Sequence, residues 1–339
     1  MTIVSSPLAQ AAPSSRAHAH RIAVVVPCHR AKRHVLAVLA AMPDRVTSIH
    51  VVDDHCPEQT GRHVQAESTD PRVRVHYNER NLGVGGAVLR GYAEALASGA
   101  DVIVKIDGDG QMDPALLPYF VDPILRGEAD YTKGNRFFDL ANIHRMPAMR
   151  ILGNAVLSFM AKLSTGYWDI FDPTNGYTAI HAEVARRLPA ERISKRYFFE
   201  SDLLFRLNTL RAVVIDIPMD ARYGDEISGL RVSRVMGEFL VMHVRNFLKR
   251  IFYNYFLRDL SVASLELVAG CTLVLAGSVY GAYHWIESAQ TGVPAAAGTV
   301  MVAALPVIVG LQFLLGFLGY DIASVPRRPI HASGPFTIR

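Results

Sequence analysis

From Arg21 onward, short β-branched runs alternate with segments of helical spacing. The run "IAVVVP" stops at Pro27, and "SIHVVDD", "RVRVHY" and "DVIVKID" follow it at intervals. Between them, 37–42 and 87–96 carry apolar residues at helical spacing. Strands that are apolar along their whole length, separated by helices, predict a parallel sheet covered on both faces. In such sheets ligands gather outside the carboxyl ends of the strands. Pro27, Asp53, Asp54 and the acidic stretch "KIDGDGQMD" at 105–113 all fall at those ends, so one cleft is predicted to receive them.

Beyond residue 260 the pattern changes to two uninterrupted apolar stretches, 261–283 and 298–320, each long enough to cross a hydrocarbon core of about 30 Å. Neither contains a basic residue, and Glu266 lies near one end. They predict a transmembrane hairpin. The 284–297 connection has no lysine or arginine, whereas Arg245, Lys249, Arg250 and Arg258 precede the hairpin and Arg327 and Arg328 follow it. The positive-inside rule then places the globular part, the 321–339 tail and both termini in the cytoplasm, with 284–297 on the opposite side. Ahead of the hairpin, 236–260 sets Leu240, Val244, Phe247, Leu248, Ile251 and Tyr255 at helical spacing, with Arg245 and Lys249 on another face. This reads as an amphipathic helix in the membrane interface; packing against the globular domain is the alternative. The Ala-, Ser- and Pro-rich residues 1–20 read as a disordered leader, and 21–235 as the globular domain.

At 339 residues the chain exceeds what one hydrophobic core usually serves, in keeping with a domain plus a hairpin. The net charge of +4 is modest, and there is no basic block with interleaved aromatics, which argues against nucleic acid as a partner. Three cysteines, Cys28, Cys56 and Cys271, show no metal-ligand spacing and cannot all pair within the chain, so a reducing compartment is the simpler reading.

The acidic stretch can then be weighed. An EF-hand loop would need glycine at Met112 and glutamate at Pro118, and both fail. Asp107 and Asp109, separated by Gly108, can instead face one small hard cation and leave sites open for phosphate oxygens and water, which suits Mg²⁺ or Mn²⁺. Asp113 before Pro114 reads as a helix start. The stretch "NLGVGGAVLRG" lacks the ending of a P-loop, and its glycines read as letting the next helix approach the sheet closely.

Taken in order, "VVVPCHR", "VVDDHCPE", "NLGVGGAVLRGYAEA", "KIDGDGQMDP", "GNRF" and "DPTNGY" resemble glycosyltransferase family 2, in particular its dolichol-phosphate-mannose-synthase-like, polyprenyl-phosphate branch, over roughly 22–231. The resemblance implies a GT-A fold, Rossmann-like with a mostly parallel sheet and helices on both faces, and a single inverting displacement with a nucleotide-sugar donor. It implies that Asp107, Asp109 and Gln111 hold the metal, that Asp53 and Asp54 hold the base and ribose, and that Pro27 lines the base pocket. Arg136 matches the Gly-Ser-Arg of the family, Asp172–Tyr177 its Asp-x-Thr-Ser-Gly-Tyr/Phe loop, and Glu200 the acid of its Phe-Glu segment. Arg222, Ser228 and Arg231 fall in its acceptor-phosphate loop. Arg30, Ala31 and Cys56 depart from the pattern where the base would sit. The expected activity is transfer of a sugar from a donor such as GDP-mannose, UDP-glucose or a UDP-N-acetylhexosamine to a polyprenyl (dolichyl or undecaprenyl) phosphate, with Asp172 and Glu200 orienting sugar hydroxyls. A family 2 transferase that extends a lipid-linked saccharide or cell-surface glycan is the alternative, and a homo-oligomer is compatible with either.

Overall fold

The structure, a computed structural model, describes residues 20–138, 148–220 and 232–333. Seven strands form one sheet: β1 Ile22–Cys28, β2 Val46–Asp53, β3 Val73–Tyr77, β4 Val102–Lys105, β5 Tyr131–Asn135, β6 Thr178–His181 and β7 Val214–Pro218, in the order β3-β2-β1-β4-β6-β5-β7. β1 to β4 run parallel, and so do β5 and β7. β6 runs against both of its neighbours, so the sheet is mixed. This reversal matters for the site. Thr178, at the start of β6, pairs with Lys105 on one side and Lys133 on the other, so the loop leading into β6 lies at the carboxyl edge of the parallel strands.

The helices of the globular part are α1 Val35–Ala40, α2 Thr60–Glu67, α3 Val84–Ala97, α4 Leu117–Leu125, α5 Ala148–Thr165, α6 Ala182–Arg187 and α7 Phe199–Leu210. Every residue of β1 is buried because helices cover both faces. Its alternation divides the interior: Ile22, Val24 and Val26 pack with Val35 and Leu39 of α1 and Phe120 and Ile124 of α4. Ala23 and Val25 pack with Val88 and Tyr92 of α3 and Leu203 and Leu207 of α7. Each such side chain contributes about 1.5–3 kcal/mol of burial. Gly91 lets α3 reach the sheet, since a Cβ there would lie 2.2 Å from Val25 Cγ1.

The chain continues into α8 Val232–Phe252, a π-helical turn Tyr253–Arg258, α9 Val262–Thr291 and α10 Ala297–Ala323. α9 extends past the expected end at 283 and shortens the connection. α9 and α10 pack on each other, with Gly270 and Gly310 in main-chain contact range. Only 22% and 11% of their most apolar stretches is buried, unlike the core helix of a soluble protein.

α8 has two unlike faces, one largely polar and buried, the other apolar and exposed. His243, Asn246, Arg250 and Ile251 are buried against the globular domain, whereas Leu240, Val241, Val244 and Leu248 are exposed. Asn246 Nδ2 donates to Asp202 at 2.9 Å, and His243 Nδ1 lies 2.7 Å from Ser164 Oγ. The helix is therefore amphipathic, and its inner face packs on the domain. α5 beside it also exposes Leu152, Val156 and Phe159.

One carboxylate joins the hairpin to the domain. Asp321, in the last turn of α10, receives Arg250 Nη1 at 2.5 Å and Nη2 at 2.9 Å, Tyr255 OH at 2.5 Å and Trp168 Nε1 at 2.9 Å. Arg250 also donates through Nε and Nη2 to Leu163 O, at 3.1 and 2.8 Å. Beyond α10 the chain returns to the sheet. Asp130, fully buried before β5, accepts from Val213 N at 2.8 Å, Ile330 N at 2.9 Å and His331 N at 3.1 Å, and lies 2.6 Å from His331 Nδ1.

Asp321→Ala leaves the Arg250 guanidinium buried and unpaired, and is expected to cost about 3–5 kcal/mol, read as a lower melting temperature in detergent. Combining Asp321→Leu with Arg250→Met should recover most of that loss. Burial holds His50, His181 and His243 at about 4, assisted by His76 for His50 and His331 for His181. Their folded values lie below the ordinary 6.5, so this contribution is complete above about pH 6.5 and is lost as pH falls towards 4. Melting temperature should drop between about pH 7 and pH 4.5; a flat profile would contradict this.

Candidate active site

β4 is apolar until its last residue, Lys105, whose side chain is 1% exposed. The turn after β4 carries Asp107 and Asp109, with Gly110 at φ +80°. Lys105 Nζ lies 3.0 Å from Asp107 Oδ1 and 3.4 Å from Glu200 Oε1, in the first turn of α7. Burial works against the ammonium, but Asp107 and Glu200 outweigh it and hold Lys105 above its ordinary value. Asp109 Oδ1 accepts from the main-chain N–H of Gln111 at 3.0 Å. Asp113 Oδ1 accepts from Ala115 N at 3.0 Å and caps the turn that starts at Pro114, so it is a helix start.

The residues of β1 and β2 meet beside this turn. Pro27 is buried in β1 and pairs with Val52. Asp53 accepts from Cys56 N at 2.7 Å and Gly61 N at 2.6 Å. Asp54 accepts from Leu82 N at 2.9 Å, Gly83 N at 2.8 Å and Asn78 Nδ2 at 2.8 Å, and thereby fixes the entry to α3. Both carboxylates brace the cleft wall through main-chain donors. Cys56 Sγ accepts from Arg30 N at 3.0 Å, joining two of the three positions that depart from the family pattern. Cys28 is pushed up, chiefly by burial and then by Asp53.

The loop before β6 closes the other side. Asp172, 1% exposed, receives Arg136 Nε at 2.8 Å and Nη2 at 3.0 Å, a two-pronged contact. Burial would raise its pKa, but Arg136 and Lys133 hold it below the usual carboxylate range. Lys133 is fully buried, donates to Asn175 O and is brought down to about 8 by burial, against the pull of Asp172 and Glu200. Gly176 of the same loop sits on the Lys105–Asp107 pair: a Cβ there would lie 2.4 Å from Lys105 Nζ and 2.7 Å from Asp107 Oδ2.

The structure thus gathers Asp107, Asp109, Asp172, Glu200 and Arg136 at one edge of the sheet, with Asp53 and Asp54 in the adjoining wall. Arg222, Ser228 and Arg231 lie outside the described residues. Lys105 was not singled out from sequence, although a lysine closing an otherwise apolar strand was a visible signal. Among the described residues no three His, Cys, Asp or Glu side chains converge as metal ligands. Asp107 and Asp109, two residues apart on the turn, are the residues that would hold a hard divalent ion, with phosphate and water completing its shell.

The parallel strands and the reversed β6 form a sheet of the GT-A fold. Residues 23–188 match the family model for glycosyl transferase family 2, and the chain carries a domain of that family there. It is similar to the undecaprenyl-phosphate mannosyltransferase of Micrococcus luteus, 28% identical over 203 residues that cover 59% of this chain and 82% of the relative. It is also similar to the UDP-N-acetylglucosamine–dolichyl-phosphate N-acetylglucosaminyltransferase of Methanococcus voltae, 30% identical over 166 residues, 49% of this chain and 65% of the relative. Among solved structures, glucosyl-3-phosphoglycerate synthase from Mycobacterium tuberculosis in complex with Mg²⁺ and UDP shares the fold, with a TM-score of 0.51 and 20% identity over 68% of this chain and 79% of that one.

Asp54→Ala strands two main-chain N–H groups and the Asn78 amide, and is expected to destabilise the domain by about 2 kcal/mol or more. Asp109→Asn, in a partly exposed turn, should leave the melting temperature within about 1 °C of wild type. Thermal melts of the two variants side by side check this.

Proposed function

We propose that the protein transfers a sugar from a nucleoside-diphosphate donor to the phosphate of a polyprenyl lipid at the cytoplasmic face of a membrane. The observation that carries the reading is the union of an acidic strand-edge turn, Asp107 and Asp109, with two helices long enough to span a bilayer, joined through Asp321 and Arg250. The polyprenyl-phosphate transferases among its relatives support the acceptor class. Mg²⁺ or Mn²⁺ would be held by Asp107 and Asp109, with Gln111 nearby, and would offset charge on the departing diphosphate. The exposed apolar faces of α5 and α8, with Arg245 and Lys249, would rest in the headgroup region, and the charge asymmetry around the hairpin supports a cytoplasmic catalytic domain, tail and termini.

The chemistry asks little of a general base. A phosphate monoester with a second pKa of about 6 is mostly dianionic at neutral pH, so its oxygen can attack the anomeric carbon directly. As the new C–O bond forms, the bond from that carbon to the diphosphate oxygen breaks and its electron pair leaves with the nucleotide, inverting the centre. The chain's residues must hold two anions together. Arg136, braced by Asp172, would face the phosphates, with Arg222, Ser228 and Arg231 from the neighbouring loop on the acceptor. Glu200, fixed by Lys105, and Asp172 would orient sugar hydroxyls, and Asp53, Asp54 and Pro27 would frame the base.

Detergent-purified protein supplied with Mn²⁺ or Mg²⁺, undecaprenyl or dolichyl phosphate and a panel of labelled nucleotide sugars should form a labelled lipid. Asp109→Asn should lower that turnover at least about a hundredfold. Failure of every donor to label either lipid, or full turnover by Asp109→Asn, would refute the reading.

A further inference from the structure

We propose that Lys105 is a positioning residue that keeps Asp107 engaged from within, so that the acidic pair binds a divalent cation weakly alone and firmly only together with a diphosphate. The inference rests on the reading of Asp107 and Asp109 as the cation site. Lys105 Nζ lies 3.0 Å from Asp107 Oδ1 and 3.3 Å from Oδ2, so the ammonium faces both oxygens of that carboxylate. It cannot easily withdraw. Its side chain is 1% exposed, Glu200 Oε1 holds it at 3.4 Å, and Thr178 pairs with its main chain on β6. Gly176 closes over it so tightly that even a methyl group would overlap Nζ, and Met112 Cε fills the same corner.

A divalent ion approaching Asp107 must therefore share that carboxylate with a fixed positive charge in a setting where water screens little. Glu200 shares the ammonium at 3.4 Å, but among the described residues no three His, Cys, Asp or Glu side chains converge as a metal site. A nucleoside diphosphate brings the missing negative charge. Lys105 thus makes cation capture depend on donor capture, and the ion and nucleotide enter as coupled ligands whose affinities rise together. Without Lys105, Asp107 would be free to give both oxygens to the ion, at the expense of unrelieved repulsion with Glu200.

The test measures Mn²⁺ binding by electron paramagnetic resonance on the full chain in detergent, with and without UDP or GDP. In the wild type, a nucleoside diphosphate should tighten Mn²⁺ binding by about tenfold or more. Lys105→Met should bind Mn²⁺ alone about tenfold more tightly than wild type and gain less from nucleotide. Glu200→Gln, which leaves the ammonium wholly to Asp107, should weaken Mn²⁺ binding instead. A purely structural lysine would not give opposite signs in these two variants. The proposal is overturned if Lys105→Met, folded by its melting transition, binds Mn²⁺ no more tightly than wild type. Should Lys105→Met not fold, the wild type decides alone: tight Mn²⁺ binding with no gain from nucleotide overturns the proposal. Capture of Mn²⁺ by no variant under any condition instead removes the cation-site reading, and this inference with it.

Discussion

The fold depends on a buried carboxylate at the foot of the hairpin. Asp321 takes four donors from three separate parts of the chain: the Arg250 fork of α8, Tyr255 of the π-turn and Trp168 of the domain. Such a group costs free energy to bury and is tolerated because every lone-pair direction is met. Its geometry leaves little freedom between domain and hairpin. Arg250 extends the lock by donating to the end of α5 at Leu163. The carboxyl edge of the parallel strands is therefore held at a set position relative to the α9–α10 pair.

The site follows a comparable logic of opposed charges. Two lysines, Lys105 at the end of β4 and Lys133 in the middle of β5, are buried on either side of Thr178 and lie among Asp107, Asp172 and Glu200. The reversal of β6 creates this arrangement, because it brings the 172–177 loop over the same edge at which the parallel strands end. Lys105 stays fully charged under the influence of two carboxylates, whereas Lys133 is brought down to about 8 by burial. Two identical residue types thus occupy distinct electrostatic environments a strand apart. This edge of the sheet therefore presents both signs of charge.

Much of this was legible in the sequence because it rests on periodicity and local chemistry. The continuous runs at Ile22–Cys28 and Val102–Lys105 could only be strands covered on both faces, and the Asp113-Pro114 start was readable from the cap it makes. The glycines of 81–91 were read as letting the helix approach the sheet, and Gly91 against Val25 is that contact. What periodicity cannot show is direction and partnership. β6 spans four residues, too few for a pattern, and nothing local marks it as antiparallel. The stripe on 236–260 mixed two faces, since Leu240, Val244 and Leu248 point outward while Ile251 and Tyr255 point inward. The pairings of Asp321 with Arg250 and of Asp130 with His331 span 71 and 201 residues, beyond the reach of any motif.

The return of the chain to Asp130 has a consequence for biogenesis. This carboxylate precedes β5, one strand in from the edge of the sheet, yet three of its four contacts come from Ile330 and His331, which are made only after both apolar helices have been synthesised. On the ribosome, the nascent domain must wait with an under-satisfied acid in its interior. Final consolidation of the sheet thus comes after the hairpin has found its place. Copies in which the two apolar helices were misplaced would therefore also carry an unfinished sheet.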